Sequence, residues 1–130
     1  MQGSPKTAGK AQKVTFPRRG DIYLVNLDPT VGAEIQKTRP ALIIQNDIGN
    51  LYSPITIVAA MSTKFDVPAY PTEVIVEATD SGLSQRSAIV LNQIRSVDRR
   101  RLVKLIGRLN AESMDRVDRA LQISLGLVEI

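Results

Sequence analysis

The sequence predicts an α+β domain in which a small, strongly bent antiparallel sheet is followed by C-terminal helices. Three observations predict it. Short runs of strand formers, separated by turn residues, fill the first two thirds of the chain. The spacing of apolar residues then changes from strand-like to helical. Strands that come first, with helices last and no alternation between them, give the α+β order. At 130 residues the chain has room for one ordinary hydrophobic core, so a single domain is expected.

Residues 1–17 read as a flexible basic tail and residues 18–130 as the folded domain. The first strand is expected over residues 21–27 (DIYLVNL), ending at the turn signal of Asp28 and Pro29. A polar connector over residues 30–37 contains Gly32. Residues 40–45 (PALIIQ) form a continuous apolar run that fits a strand buried on both faces. Asn46, Asp47, Gly49 and Asn50 supply turn chemistry. Residues 55–61 and 73–77 read as the third and fourth strands, and Asp80, Ser81 and Gly82 turn into a fifth over 87–95. Ser96 is then expected to cap a helix favoured by Asp98, with Leu102, Leu105, Ile106 and Leu109 on one face. Asn110 opens a second helix whose stripe is Met114, Val117, Leu121, Leu125 and Val128. The chain shows no internal repeat.

Composition narrows the chemistry. Cysteine is absent, which removes disulfides and thiolate metal sites and permits a reducing compartment. Histidine is absent too, so the usual general base and the commonest transition-metal ligand are missing, and neither a metal nor a cofactor is expected. No apolar run approaches the roughly 20 residues that span a bilayer, and residues 1–13 lack the apolar stretch of a secretory leader. A cytoplasmic protein without membrane contact is the expectation. The net charge of +4 is not an argument for nucleic acid. Five of the 17 Lys and Arg residues and no acid lie within residues 1–20, leaving 12 against 13 in the remainder. The tail then either adds non-specific phosphate attraction or is a solvated leader.

General motifs are few. Glu112, Asp115 and Asp118, interleaved with Arg116 and Arg119, read as a solvated helix face. The glycines stand apart, so there is no phosphate-cradling loop. One small constellation stands out. Arg39 lies between a polar loop and an apolar strand, and Pro40 biases its backbone to the extended region. A guanidinium held in a fixed direction suits a phosphate, which it can grip with two parallel hydrogen bonds. Ser62 and Thr63 put hydroxyls at the end of an apolar strand. From spacing alone, two plainer readings stay open: Arg39 paired with Glu34, and hydroxyls that only terminate a strand.

A resemblance covers most of the chain. The runs RGDIYLVNLDP (residues 19–29), GAE (32–34) and KTRPALIIQND (37–47) are similar to the signature of the MazF/PemK toxins. The likeness continues through SP (53–54), IVAA (57–60), PT (71–72), LNQIR (91–95), RL (101–102) and ALQISL (120–125). Each piece is weak alone, but together, in one order with family-like spacing, they are specific. The resemblance implies a small SH3-like antiparallel barrel of the CcdB/PemK type with a C-terminal helix, paired as a homodimer. It implies metal-independent, sequence-selective cleavage of single-stranded RNA by the substrate's own 2′-OH. The products would carry 2′,3′-cyclic phosphate and 5′-hydroxyl ends.

Carried over residue by residue, Arg39 matches the family's essential arginine, and Ser62 stands where the family usually has threonine. Serine keeps the hydroxyl and lacks the methyl that stiffens the rotamer. Thr63 is a candidate substitute. The loop bearing Gly32, Ala33, Glu34 and Lys37 is expected to close over RNA, and Asn92, Gln93 and Arg95 to contact bases or backbone. A hydrogen-bonded strand end is the plainer reading of that last trio. The resemblance further implies an antitoxin like MazE, whose disordered acidic C-terminal segment occupies the RNA groove. Two alternatives share the fold: a non-catalytic topoisomerase poison like CcdB, and an inactive member retained for antitoxin binding.

Overall fold

The structure, a computed structural model, describes residues 16–130. The tail expected over 1–17 therefore lies, up to residue 15, outside the described residues. Six strands and three helices follow in the order β1 (Asp21–Asn26), β2 (Thr38–Ile43), α1 (Asp47–Tyr52), β3 (Ile55–Ser62), β4 (Glu73–Val76), α2 (Ala78–Ser81), β5 (Ser87–Asp98), β6 (Leu102–Arg108) and α3 (Ala111–Ser124). All strands join one antiparallel sheet of order β4-β5-β3-β2-β1-β6. The α+β class is as the sequence predicts. The sheet stays open, with β4 and β6 at its edges, so the barrel description fits only loosely.

The sheet buries both faces. One core gathers Ile22, Leu42, Ala59, Met61, Ile89 and Leu91 against Val117 and Ala120 of α3. The other, on the opposite face, gathers Val25, Ala41, Ile43, Val58, Ala60 and Val97, with Ile35 and Leu102 packed against it. Successive residues of β2 and β3 thus belong to opposite cores, which explains why residues 40–45 show no polar alternation.

Two expected turns are helical. Asn46 caps α1, its side chain accepting the Gly49 N–H at 2.8 Å. Asp80 and Ser81 close α2, and Gly82, at φ +79°, takes the left-handed conformation that ends it. The second expected C-terminal helix is α3, capped by Asn110 through the Ser113 N–H. It ends at Ser124, leaving Leu125 exposed and Val128 beyond the helix.

The helix expected after Ser96 does not form. Residues 87–98 are one strand, Asp98 caps a single 3-10 turn over Arg99–Arg101, and Leu102–Arg108 is strand β6. The pairing with β1 explains the misleading period. Ile22 and Tyr23 face Gly107 and Leu105, and Leu24 and Val25 face Lys104 and Leu102, so β6 carries one extra residue at each of two bulges. The bulges leave Leu102 and Ile106 half-buried and Leu109 buried, a spacing of four then three that imitates a helix face. Leu105, assigned to that face, is 54% exposed. The free edge of β1 and a close approach at Gly107 favour the strand: a Cβ on Gly107 would lie 2.3 Å from the Ser81 carbonyl oxygen. Gly107→Ala is therefore expected to lower stability by about 1–3 kcal/mol through overpacking, read as a reduced urea midpoint.

Candidate active site

The candidate residues lie on the β1–β2 loop, the end of β3 and the middle of β5. The loop closes on itself at its neck: the Leu27 N–H donates to the Lys37 carbonyl at 3.0 Å, and the Lys37 N–H donates to Asp28 Oδ1 at 2.8 Å. Lys37 turns the chain there with φ +70°, a left-handed conformation that is uncommon for a side-chain-bearing residue. Within the loop, Val31 and Glu34 form a turn in which the Val31 N–H donates to Glu34 Oε1 at 2.8 Å. The chain then enters β2 at Thr38, with Arg39 paired to Val25 of β1.

Arg39 is exposed, and its backbone is extended in β2, as its place before Pro40 suggests. Its Nε donates to the Gln36 carbonyl at 3.2 Å, which leaves both terminal amino groups without a protein partner among the described residues. The pairing with Glu34 does not form. Arg39 is in no ion pair among the described residues, and the Glu34 carboxylate is engaged within its own turn. Arg39, Ser62 and Thr63 share a cleft of about 320 Å³ with Ala33 and Glu34. Ser62, the last residue of β3, accepts the Lys64 N–H at 3.0 Å and donates to the Lys64 carbonyl at 3.2 Å, so a tight turn holds the hydroxyl.

A second cleft of about 440 Å³ holds Asn92, Gln93 and Arg95, together with Leu27, Pro29 and Ala60. Its origin is an irregularity of pairing. Ala59 faces Ile94 but Met61 faces Ile89, so two steps along β3 correspond to five along β5. The surplus chain bows away from Ala60 and opens the cleft. Glu34 and Ile35 line both clefts and form their common wall. Gly32 and Lys37 line neither.

The trio on β5 divides by role. Asn92 is exposed and makes no side-chain hydrogen bond among the described residues. Arg95 braces the loop neck, its Nη1 donating to the Leu27 carbonyl at 2.7 Å. Gln93 Oε1 accepts the Ile35 N–H at 2.7 Å. Sequence reasoning missed Ile35, Gln36, Lys64 and Ser87, all of which line the first cleft. Lys64 alone left a signal, as a cation next to the two hydroxyls.

Chemically, the first cleft offers a permanent cation with two free donor groups beside a hydroxyl, and Lys64 adds a second positive charge. Glu34 is the only carboxylate among its lining residues. This arrangement fits a phosphodiester. Among the described residues no group of three or more acidic side chains gathers as a metal site would require, and no helix is long and apolar enough to cross a membrane. Because Arg95 is a strut, Arg95→Met is expected to destabilise the domain by about 1–2 kcal/mol. Asn92→Ala, which breaks no bond, should stay within about 0.5 kcal/mol of the parent in the same urea titration.

Known proteins share this chain's sequence and fold. Residues 18–125 match the PemK-like, MazF-like toxins of type II toxin–antitoxin systems. The chain is 47% identical over 112 residues to Endoribonuclease EndoA of Bacillus subtilis (strain 168), covering 86% of this chain and 97% of that protein. Mycobacterium tuberculosis toxin MazF-mt6 superposes with a TM-score of 0.71 at 25% identity, over 84% of this chain and 99% of that one. An endoribonuclease from a mycobacterial species, solved with its cognate antitoxin, superposes with a TM-score of 0.73 at 22% identity, over 88% and 99%, a likeness of fold. With this breadth of match in sequence, the chain belongs to the PemK-like, MazF-like toxin family.

Proposed function

We propose that this protein is a sequence-selective endoribonuclease toxin of a type II toxin–antitoxin system, acting on single-stranded RNA in the cytoplasm. The observation that carries the reading is the pairing of Arg39, its terminal amino groups free, with the Ser62 hydroxyl in one cleft. The second cleft lies across a single wall and offers the exposed Asn92 amide to a neighbouring nucleotide.

In this reading the scissile phosphate lies against Arg39. The substrate's 2′-oxygen attacks phosphorus, forming the 2′,3′-cyclic phosphate as the bond to the 5′-oxygen breaks. The 2′ proton goes to an acceptor, and the departing 5′-oxygen gains one. Arg39 stabilises the charge that builds on the equatorial oxygens, and a guanidinium, being a poor base, suits that work better than proton removal. Ser62 donates to the 2′-oxygen or a phosphate oxygen by exchanging its bond to the Lys64 carbonyl. Glu34 is the carboxylate within the cleft that can take the 2′ proton. Thr63 and Ala33 border the phosphate, while Asn92 meets a base. Gly32 and Lys37 act through the loop's shape, since neither lines a cleft.

The partners follow from the same charges. An antitoxin with an acidic, disordered C-terminal segment would place carboxylates where the phosphates lie, at Arg39 and Lys64. The protein would act as a homodimer, as the family does.

The test is cleavage of a long unstructured RNA by purified protein in EDTA. Cuts should recur at one short sequence, leave 5′-hydroxyl ends and slow in the presence of an acidic antitoxin-derived peptide. Arg39→Ala should reduce the cleavage rate about 10²–10³-fold. Cleavage that survives the substitution would move the active site elsewhere. Absence of cleavage by the parent would favour the non-catalytic members of the fold.

A further inference from the structure

The β1–β2 loop is fastened at its neck by Leu27, Asp28, Lys37 and Arg95. Beyond the neck its crest makes the internal turn of Val31 and Glu34, and the Gln36 carbonyl accepts from Arg39 Nε of β2. One hydrogen bond then carries it to β5: the Ile35 N–H to Gln93 Oε1, at 2.7 Å, near the short end of the N–H···O range. The Ile35 side chain packs against the core of Val25, Ala41 and Ile43 next to this bond. The fastening therefore sits at the wall that both clefts share.

We propose that Gln93 is a positioning residue that sets the spacing between the two clefts by holding Ile35, and that it does not read a base. The proposal rests on the ribonuclease reading above for its consequence in specificity. Gln93 Oε1 already accepts a backbone donor, so its carbonyl is engaged before any substrate arrives. A loop crest with one hydrogen bond to β5 loosens there once that bond is lost. With the wall fixed, a nucleotide held at Asn92 stands at a set distance from the phosphate at Arg39. The cut then falls at one place relative to the recognised bases.

Two substitutions separate positioning from base reading. Gln93→Met keeps the length and apolar volume of the side chain and loses the strong acceptor. Gln93→Glu keeps an oxygen that can accept the Ile35 N–H and loses both amide donors, which a base reader would need. The first readout is amide hydrogen exchange of the RNA-free protein. Exchange at Ile35 and its loop neighbours should quicken about 5- to 10-fold in Gln93→Met, the scale of one hydrogen bond, and stay at the parent rate in Gln93→Glu. Amides of β2 and β3 should not change in either variant.

The second readout is cleavage. Gln93→Met should lose about tenfold in kcat/KM at the preferred site, mostly through KM, while cuts at near-matching sites increase. Gln93→Glu should keep the parent's choice of site. Unchanged exchange at Ile35 in Gln93→Met would overturn the proposal, even with RNA cleavage established. So would acceleration spreading through β2 and β3, which would make the bond a support of the core. Loss of site choice in Gln93→Glu with Ile35 still protected would assign Gln93 to base reading. Failure of the parent to cut RNA would defeat the ribonuclease reading separately, because the exchange measurement needs no substrate.

Discussion

The unequal pairing of β3 and β5 is the constraint on which the functional face depends. Two steps of β3 answer five of β5, with Ala60 alone facing the surplus chain. A regular ladder here would leave no surplus residues opposite Ala60. The surplus is held by β4, which pairs with residues 87–90 on the other side of β5. The short strand at the sheet's edge thus anchors the bow from without, and the buried Leu91 anchors it from within. Asn92 and Gln93 lie just past that anchor, in the surplus itself, between the stretches of β5 that pair with β4 and with β3.

The β1–β2 loop completes the site from the opposite side, and its construction is economical in contacts. Its neck contains a left-handed Lys37, whose conformation costs roughly 1–2 kcal/mol relative to an extended residue. The Asp28 carboxylate on the Lys37 N–H and the Arg95 guanidinium on the Leu27 carbonyl offset that cost. Arg101 adds contacts to the Asn26 and Asp28 carbonyls from the turn before β6. The strand that imitates a helix in the sequence therefore begins where it helps to hold the β1–β2 loop. Position of the loop and path of the C-terminal third are one packing problem.

Much of this was legible in the residues, for identifiable reasons. The first five strands announce themselves because their apolar runs are bounded by Pro, Gly, Asn and Asp, and tertiary packing agrees with those local signals. β6 was hidden because two bulges shift its inward residues to positions 102, 106 and 109, a period that a regular helix also produces. α1 was hidden because Asn46, Asp47 and Gly49 serve a helix start as well as a turn. At the site, the fixed direction of Arg39 followed from Pro40, but its meeting with Ser62 followed only from family likeness, since pairing register decides it. The tethers made by Gln93 and Arg95 span 58 and 68 residues, and no local pattern encodes a bond of that separation.

Serine at position 62 is the chain's clearest departure from the family pattern, and the structure gives it a physical context. A threonine hydroxyl owes its direction largely to the branched Cβ, which restricts χ1. Ser62 lacks that restriction, yet its oxygen is engaged twice by Lys64, accepting from the N–H and donating to the carbonyl. The turn thereby supplies from outside the side chain the orientation that a methyl would supply from within. Such pinning directs the oxygen but occupies its proton, so under the proposed mechanism the substrate would have to exchange with the Lys64 carbonyl for that donor. The hydroxyl at position 62 is thus prearranged in place and contested in bonding, and the balance between these is set by Lys64, a residue that also brings positive charge to the same cleft.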